Sequence, residues 1–234
     1  MEMEAFIDCL TKYLAYLAVC IIILLFFRLT RNVPQHVFRK MLHYVAMTSV
    51  PFMIVVSESW VPVVLIAVAV AVVAYPLLAL AEQWKGFSHF FAEKRDGEIK
   101  RSLLDLFLPQ AVLTAVFYGW LNLPCVVVAG VLTWGVGDTF AALIGIRYGK
   151  HKVQLKCADQ KKSWEGTLAG CAAAFITCLS VFLLTGAYTP AKSLLLALLT
   201  APVSAGVELC TKNGNDTYTV PAANCLVLAV LSLL

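Results

Sequence analysis

Eight apolar runs recur along the chain, separated by short polar stretches. They cover approximately residues 6–27, 41–56, 60–81, 103–121, 125–148, 166–185, 193–210 and 218–234. A helix needs ~20 predominantly apolar residues to cross a hydrocarbon core ~30 Å thick. The pattern therefore predicts an all-α, polytopic integral membrane protein with about eight transmembrane helices. The second run is short and contains Pro51, so we expect that helix to be partly broken or not to span fully.

The composition agrees with a membrane protein and leaves little room for a separate soluble domain. Of the 234 residues, 61% are hydrophobic and 14% are charged, whereas soluble domains are about 45–50% apolar and about 25% charged. No Ser/Gly-rich linker or internal repeat divides the sequence, which predicts a single transmembrane domain over residues 1–234. We interpret the first run as a spanning segment, because no small-residue cleavage site follows it and Arg28 closes it.

The basic residues predict the orientation of the helices. If the amino terminus is outside and the runs alternate, 16 of the 18 Lys and Arg residues fall in inner loops, and Lys12 and Lys192 fall outside. Cytoplasmic loops of membrane proteins carry such an excess of Lys and Arg. We therefore expect a multi-pass protein with its active site on the cytoplasmic side, in the cell membrane if bacterial or the endoplasmic reticulum if eukaryotic.

Asp138 is the most informative residue, because it lies within an apolar run. An intramembrane carboxylate costs about 2.5–3.5 kcal/mol on insertion scales and is by default a functional candidate. Ala141, Gly145 and Gly149 follow it at helical spacing. These small residues indicate either close helix packing or a strip facing a hard cation that carries phosphates, typically Mg²⁺.

Further polar residues cluster at the predicted inner ends of the runs, together with Gly166. The polar residues are, in chain order, Arg39, Lys40, His43, Lys161, Lys162, Ser163, Glu165, Glu208 and Asp216. Ser163 suits a helix N-cap, and the lysines before it suit an anion site at a helix start. The basic pair at the start of the second run is consistent with snorkelling side chains or with a phosphate clamp. Carboxylates for a metal ion and cations for phosphate together indicate phosphoryl or nucleotidyl transfer. The chain has no GxxxxGK[ST] motif, which excludes a P-loop protein.

The eight cysteines show no CxxC spacing, and most of them, including Cys20, Cys171, Cys178 and Cys225, lie in apolar runs. We expect them to be small apolar helix residues, in preference to a disulfide framework or a metal site.

The run from Asp138 to Gly166 resembles the signature of the CTP-dependent polyprenol kinase family, which includes dolichol kinases, phytol kinases and yeast-type CTP-dependent diacylglycerol kinases. That signature reads D-x-x-A-x-x-x-G-x-x-x-G, a spacer, then K-K-[ST]-x-E-G. It is matched by Asp138, Ala141, Gly145, Gly149, Lys161, Lys162, Ser163, Glu165 and Gly166. The spacer of eleven residues is longer than in the dolichol kinase form.

Two further elements of that family resemble parts of this chain. Its R-K-x-x-H element is similar to Arg39, Lys40 and His43. Its late acidic element before a V-P pair is similar to Asp216, Val220 and Pro221. The family usually has Asp-Asn where this chain has Asn215-Asp216, so either Asn215 or Asp216 is the candidate ligand.

The resemblance implies a helical membrane enzyme that transfers the γ-phosphate of CTP to a lipid alcohol: a polyprenol, dolichol, phytol or diacylglycerol. Mg²⁺ would then be held by Asp138, Asp216 and Glu208. The triphosphate would be neutralised by Arg39, Lys40, Lys161 and Lys162, in a nucleotide site that includes Ala141, Gly145, Gly149, Ser163, Glu165 and Gly166. His43 or a carboxylate would accept the hydroxyl proton. The expected partners are CTP, the lipid alcohol and the bilayer, with no nucleic acid.

Two alternative functions are consistent with the same residues. The family is related to CDP-diacylglycerol synthases, so the chain could instead transfer CMP from CTP to phosphatidate. In an ion-coupled transporter, Asp138 and Glu208 would line an ion pathway.

Overall fold

The computed structural model describes residues 2–31, 33–83, 97–155, 157–158, 162–212 and 214–234. Within these ranges the chain is all-α, as predicted. The eight helices are α1 Glu2–Thr30, α2 Gln35–Val56, α3 Trp60–Ala81, α4 Glu98–Leu113, α5 Pro124–Tyr148, α6 Trp164–Thr185, α7 Pro190–Cys210 and α8 Asp216–Leu233. Helix α4 continues as a π-helical segment, Thr114–Trp120. Each helix corresponds to one of the apolar runs, and most begin a few residues earlier because their first turns are polar.

Seven of the eight helices in the described ranges are long and apolar enough to cross a membrane. The protein is therefore a multi-pass membrane protein. Helix α2 does not meet that standard, although its 22 residues run without interruption through Pro51. The expectation that this helix is partly broken is therefore wrong. Its first turns contain Arg39 and Lys40, which lower its mean hydropathy, and the expectation that it does not span fully stays a prediction.

The chain forms two compact units, Met1–Ala115 and Val116–Leu234. In the first unit, α1 packs on α2, and α3 packs on α4. A partly buried ion pair joins the end of α3 to the start of α4, with Lys100 Nζ 2.5 Å from Glu82 Oε2. The prediction of one transmembrane domain over residues 1–234 stays a prediction.

In the second unit, α5, α6, α7 and α8 form an antiparallel ring in which each helix contacts the helices before and after it, and α8 returns to α5. Fully buried side chains fill the interior, among them Trp134, Phe182, Leu196 and Leu228. One end of the ring holds the connection 149–163 and the turn 211–215. We call it the basic end, because its described residues include Lys150, Lys152, Lys162 and Lys212.

Small residues bring α5 and α6 into backbone contact. A Cβ added at Gly166 of α6 would lie 2.7 Å from the carbonyl oxygen of Ala141. One added at Gly170 would lie 2.9 Å from the Cβ of Ala141 and 3.0 Å from the carbonyl oxygen of Gly137. The Cβ added at Gly166 would also lie 3.1 Å from the Cα of Gly145. Ala141 and Gly145 therefore serve close helix packing, as the small-residue pattern allowed.

A buried asparagine fixes the register of three helices in the same unit. Asn224 of α8 donates from Nδ2 to the carbonyl oxygen of Gly130 on α5, at 3.0 Å, and to Ser204 Oγ on α7, at 3.2 Å. Gly130 has no room for a side chain, because an added Cβ would lie 2.6 Å from Cys225 Sγ. Gly130, Ser204 and Asn224 thus lie at one depth in the ring.

We expect Gly166→Ala to destabilise the second unit, whereas Gly206→Ala should not. The added methyl group at 166 meets backbone atoms that cannot move independently, and such overpacking costs about 1–3 kcal/mol. At Gly206, also in a helix, an added Cβ meets nothing within 4 Å, and alanine favours a helix more than glycine does. Thermal unfolding of both variants in detergent measures the difference. Equal midpoints for the two variants would contradict the tight contact between α5 and α6.

Candidate functional site

The connection between α5 and α6 doubles back on itself, so its two ends lie side by side. The amide of Val153 donates to the carbonyl of Lys162 at 3.1 Å, and the amide of Trp164 donates to the carbonyl of His151 at 3.0 Å. An isolated antiparallel bridge pairs Lys152 with Ser163. The residues after Gly149 are therefore held against the start of α6.

Ser163 is the N-cap of α6, which confirms one of the two roles predicted for it; the other role, in a nucleotide site, stays a prediction. Its Oγ accepts a hydrogen bond from the amide of Gly166 at 3.2 Å, and the residue is only 3% exposed. A Cβ added at Gly149 would lie 2.5 Å from this Oγ, so Gly149 leaves space for the cap. The first-turn amides of Trp164 and Gly166 are thus bonded within the protein.

Glu165 holds the beginning of the connection in place. Its carboxylate accepts from the backbone amide of His151, at 3.1 and 3.2 Å for its two oxygens. The same carboxylate lies 2.6 Å from His151 Nδ1. A carboxylate in the first turn of a helix also interacts favourably with the helix dipole. Glu165 therefore organises the loop between α5 and α6, a role that its position in the sequence did not indicate.

Lys162 ties this connection to the end of α7. Its ammonium group donates to the carbonyl oxygens of Glu208 and Thr211, the latter at 3.3 Å. These carbonyls belong to the last turn of the helix and the residue after it, where a cation is favoured by the helix dipole. The other lysine of the predicted pair, Lys161, lies outside the described residues.

The three candidate carboxylates of the second unit lie toward its basic end. Along α5, Asp138 lies eight residues beyond Gly130 toward the basic end, a distance of about 12 Å along the helix axis. Asp216 is eight residues before Asn224, and α8 is antiparallel to α5. Gly130 and Asn224 are in contact, so Asp138 and Asp216 each lie eight residues further toward the basic end along two antiparallel helices. Glu208 lies one turn further along α7 than Ser204, toward the same end.

Helical spacing places Asp138 on the side of α5 that carries Gly130 and Trp134, since residues four apart share a face. Gly130 on that side contacts α8. Asp138 and Asp216 are both partly buried, whereas Asn215, at the N-cap of α8, is exposed. Their burial favours Asp216 over Asn215 as the candidate ligand from this helix.

The carboxylates do not form a complete metal site by themselves. Across the described ranges, no group of three or more His, Cys, Asp or Glu side chains is arranged to hold a metal ion. Mg²⁺ commonly binds proteins through one or two carboxylates and completes its shell with water and substrate phosphates. The assignment of Asp138, Asp216 and Glu208 as ligands of a metal ion therefore stays a prediction.

Arg39, Lys40 and His43 belong to the first unit, in the first turns of α2, and all three side chains are partly buried. Arg39 and His43 are one turn apart on the helix. Nearby, Phe38 is 2% exposed and packs with Leu24, and Arg28 lies 5.0 Å above the Phe38 ring. The start of α2 is thus fixed to the end of α1 by apolar and cation–π contacts.

His151 is a residue of the site that the sequence analysis missed. It is two residues beyond Gly149 and fourteen before Glu165, a separation with no regular helical or strand spacing. Its pairing with Glu165 depends on the chain reversal between them, which the sequence pattern did not indicate.

Comparison with known proteins gives one informative match. The chain is 36% identical over 107 residues to a phytol kinase from Synechocystis sp.. The match covers 46% of this chain and 45% of that protein, so the chain spans under half the length of the curated relative it matches. No protein-family model and no solved structure matches the chain.

We expect Ser163→Ala to loosen the connection between α5 and α6. Loss of an N-cap costs about 1 kcal/mol. Here it should also weaken the antiparallel bridge between Lys152 and Ser163. Thr189→Ala is the matched control, because Thr189 caps α7 at the other end of the ring through the amide of Lys192. Hydrogen exchange should accelerate at Val153 and Trp164 in the first variant alone. Unchanged exchange there would show that the cap does not hold the connection.

Proposed function

We propose that this protein is a lipid alcohol kinase that transfers the γ-phosphate of CTP to the hydroxyl of a membrane lipid. The observation that carries the proposal is the order of polar residues along the helices of the second unit: Glu208 and Asp216 lie at the ends of α7 and α8 beside the turn 211–215, where Lys162 binds, and Asp138 lies further inside α5. The local similarity to a phytol kinase supports the same class of reaction and favours a long-chain isoprenoid alcohol as acceptor.

The position of the site suits a reaction between a lipid and a water-soluble donor. Asp216 is the first residue of α8, next to the turn 211–215, and Asp138 lies just past the midpoint of α5, ten residues before its end at Tyr148. A lipid hydroxyl rests near the headgroup level, and a nucleotide reaches that level from water. The basic end is predicted to face the cytoplasm, where CTP is present.

Each described residue at the basic end has a distinct role in this proposal. Asp138 and Asp216 would hold Mg²⁺ bound to the nucleotide, and that ion would neutralise charge on the transferring phosphoryl group. Lys162 holds the connection to the end of α7, which positions Glu208. Lys161 remains the predicted ligand of the triphosphate. Ala141, Gly145, Gly149 and Gly166 act by letting α5 and α6 approach, while Ser163 and Glu165 fix the start of α6.

The bond changes in this proposal are those of a direct phosphoryl transfer. The lipid hydroxyl oxygen bonds to the γ-phosphorus, the bond from that phosphorus to the bridging oxygen breaks, and CDP leaves. The hydroxyl proton passes to a base, for which His43 and the carboxylates are the candidates. Arg39 and Lys40 stay phosphate ligands on the strength of the sequence resemblance alone.

Labelled CTP distinguishes this reaction from its nearest alternative. Purified protein in lipid nanodiscs would receive phytol, a polyprenol, diacylglycerol or phosphatidate, with CTP labelled on either the α- or the γ-phosphate. A kinase labels the lipid from γ-labelled CTP alone. Label from the α-phosphate on phosphatidate would identify a cytidylyltransferase. No transfer from either, together with ion flux into liposomes without nucleotide, would identify a transporter.

In that assay we expect Asp138→Asn to lower turnover by about 100-fold or more, equivalent to about 2.7 kcal/mol of transition-state stabilisation. The variant should remain folded, because removing an intramembrane charge relieves an insertion cost. Asp8→Asn is the control, since Asp8 is exposed and pairs with Lys12 at 2.6 Å. Turnover of Asp138→Asn equal to that of Asp8→Asn would remove Asp138 from the proposed site.

A further inference from the structure

Two cysteines depart from the apolar role predicted for this residue type. Six of the eight are buried or partly buried, and the remaining two, Cys157 and Cys210, are exposed. They are 53 residues apart in the chain, yet their sulfur atoms are 2.7 Å apart. That separation is only about 0.7 Å longer than a disulfide bond.

The pair lies next to the residues that organise the basic end. Cys157 belongs to the connection between α5 and α6, and Cys210 is the last residue of α7. Cys210 stands between Glu208 and Thr211, whose carbonyls accept from Lys162. Ala158, beside Cys157, is buried with Val153 and Leu209 in a small apolar cluster. The backbone on both sides of the sulfur pair is therefore held by other contacts, which keeps the two sulfurs together.

We propose that Cys157 and Cys210 form a reversible disulfide, which makes them a redox modification site on the cytoplasmic face. The oxidant is a disulfide, either of a small thiol such as glutathione or of a protein. One cysteine sulfur attacks that disulfide and releases one thiol, and the second cysteine attacks the mixed disulfide and releases the other. Two protein thiols become one S–S bond, and one external disulfide becomes two thiols, so atoms and electrons balance.

The compartment determines how such a bond is used. Cytosolic proteins of most organisms rarely keep structural disulfides, and those that form there are usually transient or redox-sensing. Closing this bond fixes the middle of the connection to the end of α7, beside Glu208. If the proposed function is right, oxidation lowers turnover, because the bond constrains the backbone at Cys210, two residues from Glu208.

Peptide mapping after equilibration with glutathione tests the modification site without depending on activity. Full-length protein in nanodiscs is equilibrated with reduced or oxidised glutathione, alkylated and digested with trypsin. Oxidation should remove two reactive thiols and yield the fragment 157–161 linked to the fragment 193–212, and dithiothreitol should reverse both changes. Cys157→Ser and Cys210→Ser should abolish the link, whereas Cys125→Ser, at the far end of α5, should retain it. Separate glutathione adducts on the two cysteines, unmodified thiols, or a link between two copies of the chain would each overturn the proposal.

A second measurement separates the modification from its effect on the proposed reaction. Turnover with γ-labelled CTP is compared between oxidised and reduced protein, in the wild type and in Cys157→Ser. If oxidation lowers turnover in the wild type and not in Cys157→Ser, the disulfide controls the proposed reaction. If the internal disulfide forms and turnover does not change, the modification site is supported and the claim that it controls the reaction is wrong. Absence of turnover in every sample counts against the kinase, while the peptide map still decides the disulfide.

Discussion

Backbone contact between α5 and α6 is the constraint on which the candidate site depends. Lipid tails provide no hydrophobic force between helices, so association in a membrane depends on close packing and polar contacts. Gly166 and Gly170 approach Ala141 and Gly137 so closely that a single added Cβ would clash with backbone atoms. This approach sets Ser163 against Gly149, and Ser163 then caps α6 and anchors the returning connection. A looser contact would separate the start of α6 from Asp138 on α5.

Polar contacts at two depths complete the arrangement of the second unit. Deep in the ring, Asn224 links α8 to α5 and α7 and so fixes their register. At the basic end, Lys162 links the connection to α7, and Glu165 holds His151. Lys162 and Glu165, which the sequence analysis assigned to the nucleotide site, thus hold the connection between α5 and α6 in place. Preorganised loops of this kind are what phosphoryl transfer requires, because catalysis there depends mainly on positioning and charge.

The sequence predicted the helices well, because each run is long and apolar. Trp60–Ala81 has the same bounds in the sequence and in the structure. The start of α2 was harder to predict, because the helix begins at Gln35 in a polar stretch, several residues before its apolar run. The stripe of Ala141, Gly145 and Gly149 fitted two explanations, and only the position of α6 showed that Ala141 and Gly145 serve helix packing and that Gly149 leaves space for the Ser163 cap. The pairs His151–Glu165 and Cys157–Cys210 depend on chain reversals and have no signal in residue spacing. The carboxylates were singled out because charge within apolar helices is costly, and their role stays a prediction.

The central claim is that the basic end of the second unit binds the nucleotide, and hydrogen exchange measures this directly. Amides in loops exchange quickly because their hydrogen bonds open readily, so bound ligand slows them visibly. Mg²⁺ and CTP should slow exchange in the connection 149–163 and in the turn 211–215. The turns 121–123 and 186–189, at the other end of the ring, should be unaffected. Slower exchange confined to the far turns, or no change at the basic end at saturating CTP, would contradict the account.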